Sequence, residues 1–289
     1  MTYVSPLGAL PDGPDPCIVF KAGTLKGRTL YSCTQTEVMA FTLPAFDMSF
    51  YLSQPEFNDV HHVLPLDDGT LAVVSTGLDA VFQMNRSGAI VKEWSTSGTP
   101  IWDRFDRTRD WRQVATTKPH RSHPNYCFML DDRLWTTRFE QRDAICLDVP
   151  ELRFDINAER PHDGVFHDGR ILFSSVDGHI LAFDPHTRRL LEDMDLNLIA
   201  APSKEALGWC RGLLPLGDTL LVGFSRIRPT PFRQSVNWVR RNILPSGGAA
   251  NEMPTRVAAY DLRRKTLLWE VSLEGHGVNA IFSMHAEPA

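Results

Sequence analysis

A repeat of strand-like segments, with a period of about 40 to 50 residues, constrains this chain more than any other feature. The repeated unit is a run of alternating apolar residues that follows a tight turn rich in aspartate or glycine. Copies of this second-strand segment occur at residues 28–34, 70–76, 133–139, 170–176 and 219–225. Such a period is typical of propeller blades, so we expect an all-β fold.

Further strand segments follow most of these copies. Third strands are predicted at residues 80–85, 144–148, 180–184 and 257–261, and fourth strands at 88–94 and 266–271. A four-stranded antiparallel meander is the unit of a β-propeller blade. The 289 residues accommodate a five-bladed β-propeller as a single domain, residues 1–289, and a six-bladed ring is the alternative. Residues 276–283 are predicted to form one more inner strand that closes the ring.

Composition limits the classes of function. The formal net charge of −5 argues against a general binder of nucleic acid or acidic membranes, because both partners are themselves negative. The five cysteines lack C-x-x-C spacing, so neither a disulfide framework nor a thiolate zinc site is indicated. The sequence shows neither an apolar run as long as a membrane span nor a signal-peptide pattern, and we expect a cytoplasmic protein.

Histidine or arginine stands near the start of most predicted inner strands. In a propeller these strands surround one axis, so side chains from distant parts of the sequence converge there. In three blades a histidine or arginine lies nine residues before the first aliphatic residue of the second strand. These residues are His62, His162 and Arg211, and their common spacing predicts that they share one structural position. His61 alternates to the other side of its strand and is interpreted as a packed residue.

Imidazoles gathered from several strands predict a metal site. Neutral histidine nitrogen suits first-row divalent metals, so iron or zinc is favoured over calcium, and iron is preferred. Asp59 and Asp163 could orient an imidazole through hydrogen bonds. Open coordination positions would permit oxidative, lyase or isomerase chemistry on a small anionic metabolite. The predicted ligands are His62, His123, His162 and His276.

Arginine offers a planar fork that binds a carboxylate or a phosphate. Arg211 is therefore the predicted anchor of the substrate anion, and Trp209 is a candidate for stacking on it. The apolar spacing within residues 232–243 predicts a short amphipathic helix that either packs on the propeller or covers the site. The full set of predicted substrate-binding residues is Arg211, Arg138, Arg226, Arg228 and Trp209.

A non-catalytic scaffold is the alternative to an enzyme. In that case the same face binds a protein or a glycan, and exposed aromatic residues of the insertions serve as anchors. The candidate anchors are Trp102, Trp111 and Trp238. Metal content distinguishes the two hypotheses, because a scaffold has no need of a stoichiometric metal.

Several stretches of the C-terminal half resemble one group of proteins. They are residues 208–213 (GWCRGL), 222–228 (VGFSRIR) and 255–262 (TRVAAYDL), together with 160–164 and 277–283. The chain resembles, in these stretches, a loosely defined group of bacterial propeller proteins of uncertain function. The resemblance implies a soluble propeller and brings no established reaction or catalytic residues.

Overall fold

The protein is an all-β, five-bladed β-propeller with four antiparallel strands in each blade. The structure is a computed structural model and describes residue 5 and residues 19–199, 207–226 and 253–287. Every blade is built from four consecutive strands, so neighbours in the sequence are neighbours in the sheet. In blades 1 to 4 short loops explain this meander, because a tight turn returns the chain beside the strand that it has just left, whereas the second and third strands of blade 5 are separated by residues 226–255.

The strands follow the predicted segments closely. Blade 1 contains β1 (Thr24–Lys26), β2 (Thr29–Cys33), β3 (Val38–Thr42) and β4 (Asp47–Leu52), and blade 2 contains β5 (Val60–Pro65), β6 (Leu71–Ser75), β7 (Ala80–Met84) and β8 (Ile90–Ser95). Blade 3 contains β9 (Pro124–Leu130), β10 (Arg133–Arg138), β11 (Asp143–Cys146) and β12 (Arg153–Asp155). Blade 4 contains β13 (Pro161–His167), β14 (Arg170–Ser175), β15 (His179–Phe183) and β16 (Leu190–Asp195). Blade 5 contains β17 (Trp209–Leu216), β18 (Thr219–Ser225), β19 (Arg256–Asp261) and β20 (Thr266–Ser272).

Two short α-helices lie within the described ranges, α1 (Ile101–Arg104) and α2 (Leu196–Ile199). By compactness the chain divides into unit 1, Met1–Gly164 with His285–Ala289, and unit 2, Val165–Met284. In unit 1 the apolar side chains of β2, β3, β5, β6 and β7 pack together with Phe105 and Trp111. In unit 2 the core lies between β14, β15, β17, β18 and β19. Burial of these apolar side chains therefore stabilises both units.

Turn chemistry sets the register of the inner strands. Asp131 and Asp132 both have positive φ, 50° and 56°, and form the two-residue hairpin turn between β9 and β10. Blade 2 has a longer turn, in which Leu66 N–H donates to the Thr70 carbonyl at 2.9 Å and Gly69 adopts φ 83°. This loop contains residues 67–69, one residue more than the turn of blade 3. Its extra residue shifts the numbering of equivalent positions in β5.

The extra inner strand predicted at residues 276–283 does not form. Glu274–His276 is a 3-10 helix, and residues 277–287 contain no strand. Gly277 has φ 74°, and Ile281 N–H donates to Ser225 Oγ at 2.9 Å instead of joining a ladder. Blade 1 already has its own inner strand, β1, so the prediction of a strand exchanged from the C-terminus was wrong.

Candidate functional site

Strand pairing identifies which residues are equivalent in the inner strands. In blade 5 Pro215 pairs with Leu220, five residues on, whereas in blade 2 Pro65 pairs with Leu71, six residues on. The longer turn of blade 2 causes this difference. His61 is therefore the residue equivalent to Arg211, and the prediction that His62 shares that position was wrong by one residue.

This equivalent residue, which we call the lead-in position, is polar in all five blades. It lies nine residues before the first aliphatic residue of the second strand in four blades, and ten before it in blade 2. The pairing register shifts at or beside it in blades 2, 3 and 5, which marks a β-bulge. Bulges re-aim side chains and are frequent beside functional sites. The lead-in residues are Lys21, His61, Asn125, His162 and Arg211.

His62 belongs to the core of unit 1. Its ring is fully buried and stacks on Tyr126, with centroids 4.0 Å apart. Cys127 N–H donates to its Nδ1 at 3.1 Å, so Nε2 carries the proton and lies 3.2 Å from Thr24 Oγ1. Burial lowers the pKa of His62 to about 3. Both ring nitrogens therefore have protein partners in the core, and the histidine whose charge acts on His62 is His285.

Four other histidines of unit 1 form what we call the histidine cluster: His61, His120, His123 and His162. The Nδ1 atoms of His120 and His123 lie 2.8 Å apart. The His61 ring meets the His123 ring edge-on, with centroids 5.0 Å apart. The Phe139 ring packs against two members of the cluster, with its centroid 4.7 Å from that of His123 and 5.6 Å from that of His162. Imidazoles from three blades thus meet in one place.

Charged groups border the histidine cluster. Lys21 Nζ lies 3.6 Å from Asp59 Oδ1, and His61 Nδ1 lies 2.7 Å from the Asp59 carbonyl oxygen. Burial alone would raise the pKa of Asp59, but His61, Lys21, His123 and His120 outweigh it and hold that pKa well below its usual range. The Arg160 guanidinium lies 5.1 Å from the Phe139 centroid. Asp59 is therefore a stable carboxylate, and its backbone carbonyl, at 2.7 Å, lies closer to His61 Nδ1 than the carboxylate does, at 3.6 Å.

The inner strands of four blades begin immediately after a residue with left-handed backbone. These residues are Asp59 (φ 48°), His123 (φ 52°) and Arg160 (φ 52°), before β5, β9 and β13, and Gly208 (φ 96°) before β17. Glycine adopts this region freely, whereas a residue such as arginine costs on the order of 1 kcal/mol there. Such outliers concentrate where surrounding contacts fix them, often at functional sites.

Asp79 fixes the segment that carries His120 and His123. Its Oδ1 accepts from the backbone N–H groups of Ser122 and His123, both at 2.9 Å, and its Oδ2 accepts from Arg121 N–H at 2.8 Å. Arg104 pairs with the same carboxylate. Burial raises the pKa of Asp79, but these N–H groups lower it to a value below the usual range. The carboxylate is ionised and 1% exposed.

The two hydrogen-bonded histidines are neutral in the folded protein. Burial lowers the pKa of His120, and burial with the nearby His61 and His120 lowers that of His123 well below 6.5. One Nδ1 of the pair must carry a proton and donate, while the other accepts through its lone pair. Both residues are partly exposed, so a small molecule in solution has access to them.

The predicted metal ligands do not come together as a set. His123 and His162 are in the histidine cluster, His62 is in the core, and His276 lies in an exposed 3-10 helix of unit 2. Among the described residues, no group of three or more His, Cys, Asp or Glu side chains has the geometry to hold a metal ion. Two imidazoles on one tetrahedral metal have nitrogens about 3.3 Å apart. The 2.8 Å between His120 and His123 fits a hydrogen bond instead.

The predicted substrate-binding arginines have different surroundings. Arg138 forms a two-point ion pair with Asp143, at 2.8 and 2.6 Å, and Arg226 forms one with Glu274, at 2.6 and 2.8 Å. The Arg211 guanidinium lies 4.0 Å from the Phe282 centroid and 5.7 Å from that of Trp209. Arg211 and Trp209 thus stack in unit 2, and Arg228 lies outside the described residues.

The structure describes two of the three tryptophans that the scaffold hypothesis names as surface anchors. Trp111 is 7% exposed and donates to the Asp106 carbonyl oxygen at 2.9 Å, so it is a core residue and not a surface anchor. Trp102 is partly buried and donates to Glu93 at 2.7 Å. Trp238 and the predicted helix at residues 232–243 lie outside the described residues. Binding of a protein or glycan partner stays a prediction.

Sequence reasoning missed Lys21, Asp79 and the role of His61. The signal that could have found His61 is Gly69, because a D-D-G turn in blade 2 is one residue longer than the D-D and D-G turns of blades 3 and 4. Asp79 is 44 residues from its most distant amide partner, His123, and follows no motif. Within the described part of the chain, no helix is long and apolar enough to cross a membrane.

Comparisons with known proteins find relatives in fold only. No family model matches the chain, and no curated protein matches it. A protein of unknown function from Bacteroides caccae aligns with a TM-score of 0.58 and 11% identity, over 93% of this chain and 86% of its own. The WD40 β-propeller domain of Doa1 aligns with a TM-score of 0.53 and 13% identity, over 91% and 71%. A chain of the mitotic checkpoint complex aligns with a TM-score of 0.52 and 8% identity, over 93% and 69%.

Proposed function

We propose that the protein binds a small anionic molecule, through a carboxylate or phosphate group, at the histidine cluster. The observation that carries this proposal is the meeting of four imidazoles from three blades beside Lys21 and Arg160. Imidazole N–H, ammonium and guanidinium groups are all donors to anions, and charge-assisted hydrogen bonds are the strong ones. The left-handed backbone at Asp59, His123 and Arg160 is fixed beside these donors, so little ordering is needed when the anion binds.

Isothermal titration of the purified protein with sulfate, inorganic phosphate and citrate tests the proposal. We expect binding that weakens at least about tenfold in Lys21→Met, which loses the ammonium donor, and in His120→Gln, which loses the imidazole ring. The matched control is His186→Gln, since His186 is an exposed histidine in a turn of unit 2. No binding of any of the three anions, or equal weakening in the control, would overturn the proposal.

Two of the predicted metal ligands, His123 and His162, lie in this cluster, so a transition metal that supports oxidative, lyase or isomerase chemistry would bind there through them. Mass spectrometry of protein purified without oxygen measures its metal content. Near-stoichiometric iron that is lost in His120→Gln and kept in His186→Gln would support metal chemistry. Protein that stays free of iron, zinc and manganese after reconstitution, yet binds sulfate, would leave an anion site without metal.

A further inference from the structure

Asp79 holds three consecutive main-chain amides of the segment that carries His120 and His123. Its carboxylate accepts from Arg121 N–H at 2.8 Å and from Ser122 and His123 N–H at 2.9 Å each, and Ser122 Oγ adds a contact at 3.0 Å. Successive N–H groups that point at one spot form a nest, which binds negative charge. Here the chain fills the nest with its own carboxylate.

We propose that Asp79 is a positioning residue of the anion site, holding residues 120–123 in the conformation that places His120 and His123 in the histidine cluster. The inference rests on the proposed function. Asp79 lies in the 3-10 turn before β7. The imidazoles that it positions belong to His120 and His123, which precede β9 and lie 41 and 44 residues later in the sequence.

The segment depends on outside groups because it has no regular structure of its own. Residues 114–123 contain neither helix nor strand. Its carbonyl groups are held from blade 3, where Phe139 N–H donates to His123 O and Glu140 N–H to Ser122 O, both at 3.2 Å. Its amides are held from blade 2 by Asp79. Removal of the carboxylate leaves three buried or half-buried N–H groups to find new acceptors, so the backbone around His123, at φ 52°, is expected to relax.

The geometry predicts a chemical rescue. Asp79→Asn replaces one carboxylate oxygen by an NH2 group. An NH2 group is itself a donor, so it cannot accept a hydrogen bond from the N–H groups of the nest. Asp79→Gly removes the side chain and leaves room for an external carboxylate of the same size. Formate should therefore fill the nest and restore the segment in Asp79→Gly, and it should restore nothing in Asp79→Asn. A purely structural loss of packing would not respond to formate in this selective way.

Sulfate binding is the first readout. We expect Asp79→Asn and Asp79→Gly to weaken sulfate binding at least about tenfold, and added formate to restore it in Asp79→Gly alone. Asp184→Asn is the matched control, because Asp184 also accepts from two backbone N–H groups and a hydroxyl, those of His186 and Thr187, in unit 2. Sulfate affinity that survives loss of the Asp79 carboxylate would overturn the inference.

Nitrogen-15 spectra of histidine-labelled protein give a second readout that needs no ligand. In the wild type, one member of the His120–His123 pair must show a protonated Nδ1 and the other a bare Nδ1. We expect this pattern to vanish in Asp79→Asn while the signals of His62 stay. Persistence of the pattern would refute the positioning role, even if the wild type binds no sulfate and the proposed function fails.

Ser122→Ala provides a milder variant should both substitutions of Asp79 prevent folding. It removes one of the contacts to the carboxylate and leaves the three amide bonds. The expected result is a folded protein with a small loss of sulfate affinity and a broadened signal of the paired Nδ1 proton. Unchanged affinity together with an unchanged signal would count against the inference.

Discussion

His62 should make the protein sensitive to acid. The imidazole is fully buried, accepts from Cys127 N–H and stacks on Tyr126, so the fold contains it in the neutral form. Protonation would place a cation in the core and remove the acceptor. The pKa of His62 is about 3 in the folded protein and about 6.5 in the unfolded chain. The unfolded chain therefore binds the proton first as the pH falls, and folding stability is lost.

The size of the effect follows from the two pKa values. The neutral His62 ring contributes its full stabilisation at pH values above about 6.5, the pKa of the residue in the unfolded chain. This contribution declines as the pH falls from about 6.5 towards 3, the pKa in the folded protein. Between pH 8 and pH 5 the loss is about 2 kcal/mol, and by pH 4 it is about 3 kcal/mol, at 1.36 kcal/mol for each unit of pKa difference. A change of this size is a large part of the stability of an ordinary domain.

Urea unfolding at pH 8 and pH 5, for the wild type and His62→Asn, measures this contribution. The asparagine Oδ1 can take over the acceptor role of Nδ1 but does not titrate. The variant loses the ring stack and is less stable at both pH values, yet its loss between pH 8 and 5 should be about 2 kcal/mol smaller than that of the wild type. The other histidines remain in both proteins, so their contributions cancel. An equal loss in the two proteins would refute the assignment of acid sensitivity to His62.

Two further predictions concern single buried groups. Arg138→Met should lower the free energy of unfolding by about 3 kcal/mol, because the buried Asp143 carboxylate loses its partner, and should leave sulfate affinity unchanged; reduced affinity with intact stability would instead place Arg138 in the binding site. Burial raises the pKa of Cys127 to about 12, so a thiol reagent at pH 8 should modify it only as fast as the protein unfolds. Rapid modification of the folded protein, read by peptide mass spectrometry, would contradict the burial of this thiol.

The blades could be predicted from the sequence because their signals are local. Residues 170–176 and 219–225 combine apolar alternation with an Asp or Gly turn, and the structure has β14 and β18 at those places. The inner strand β1 was not predicted, since three residues are too few to show a period. Nor could the sequence show that Asp79 binds the amides of residues 121–123, because that contact joins two blades through backbone N–H groups that every residue type except proline supplies.

Two adjacent histidines show why the site was harder to predict than the fold. Alternation along β5 predicts opposite environments for His61 and His62, and the pairing register shifts between Val60 and His62, at the position of His61. The nine-residue spacing selected His62 for the shared position, whereas strand pairing selects His61, and the difference comes from a single loop residue. The length of each turn must therefore be established first when a site is inferred from sequence repeats. An error of one residue here selects His62, a buried neutral imidazole of the core, in place of His61, which belongs to the candidate binding site. The exchange is testable here, since His62→Asn should alter acid stability while His120→Gln, at the cluster, should alter anion affinity.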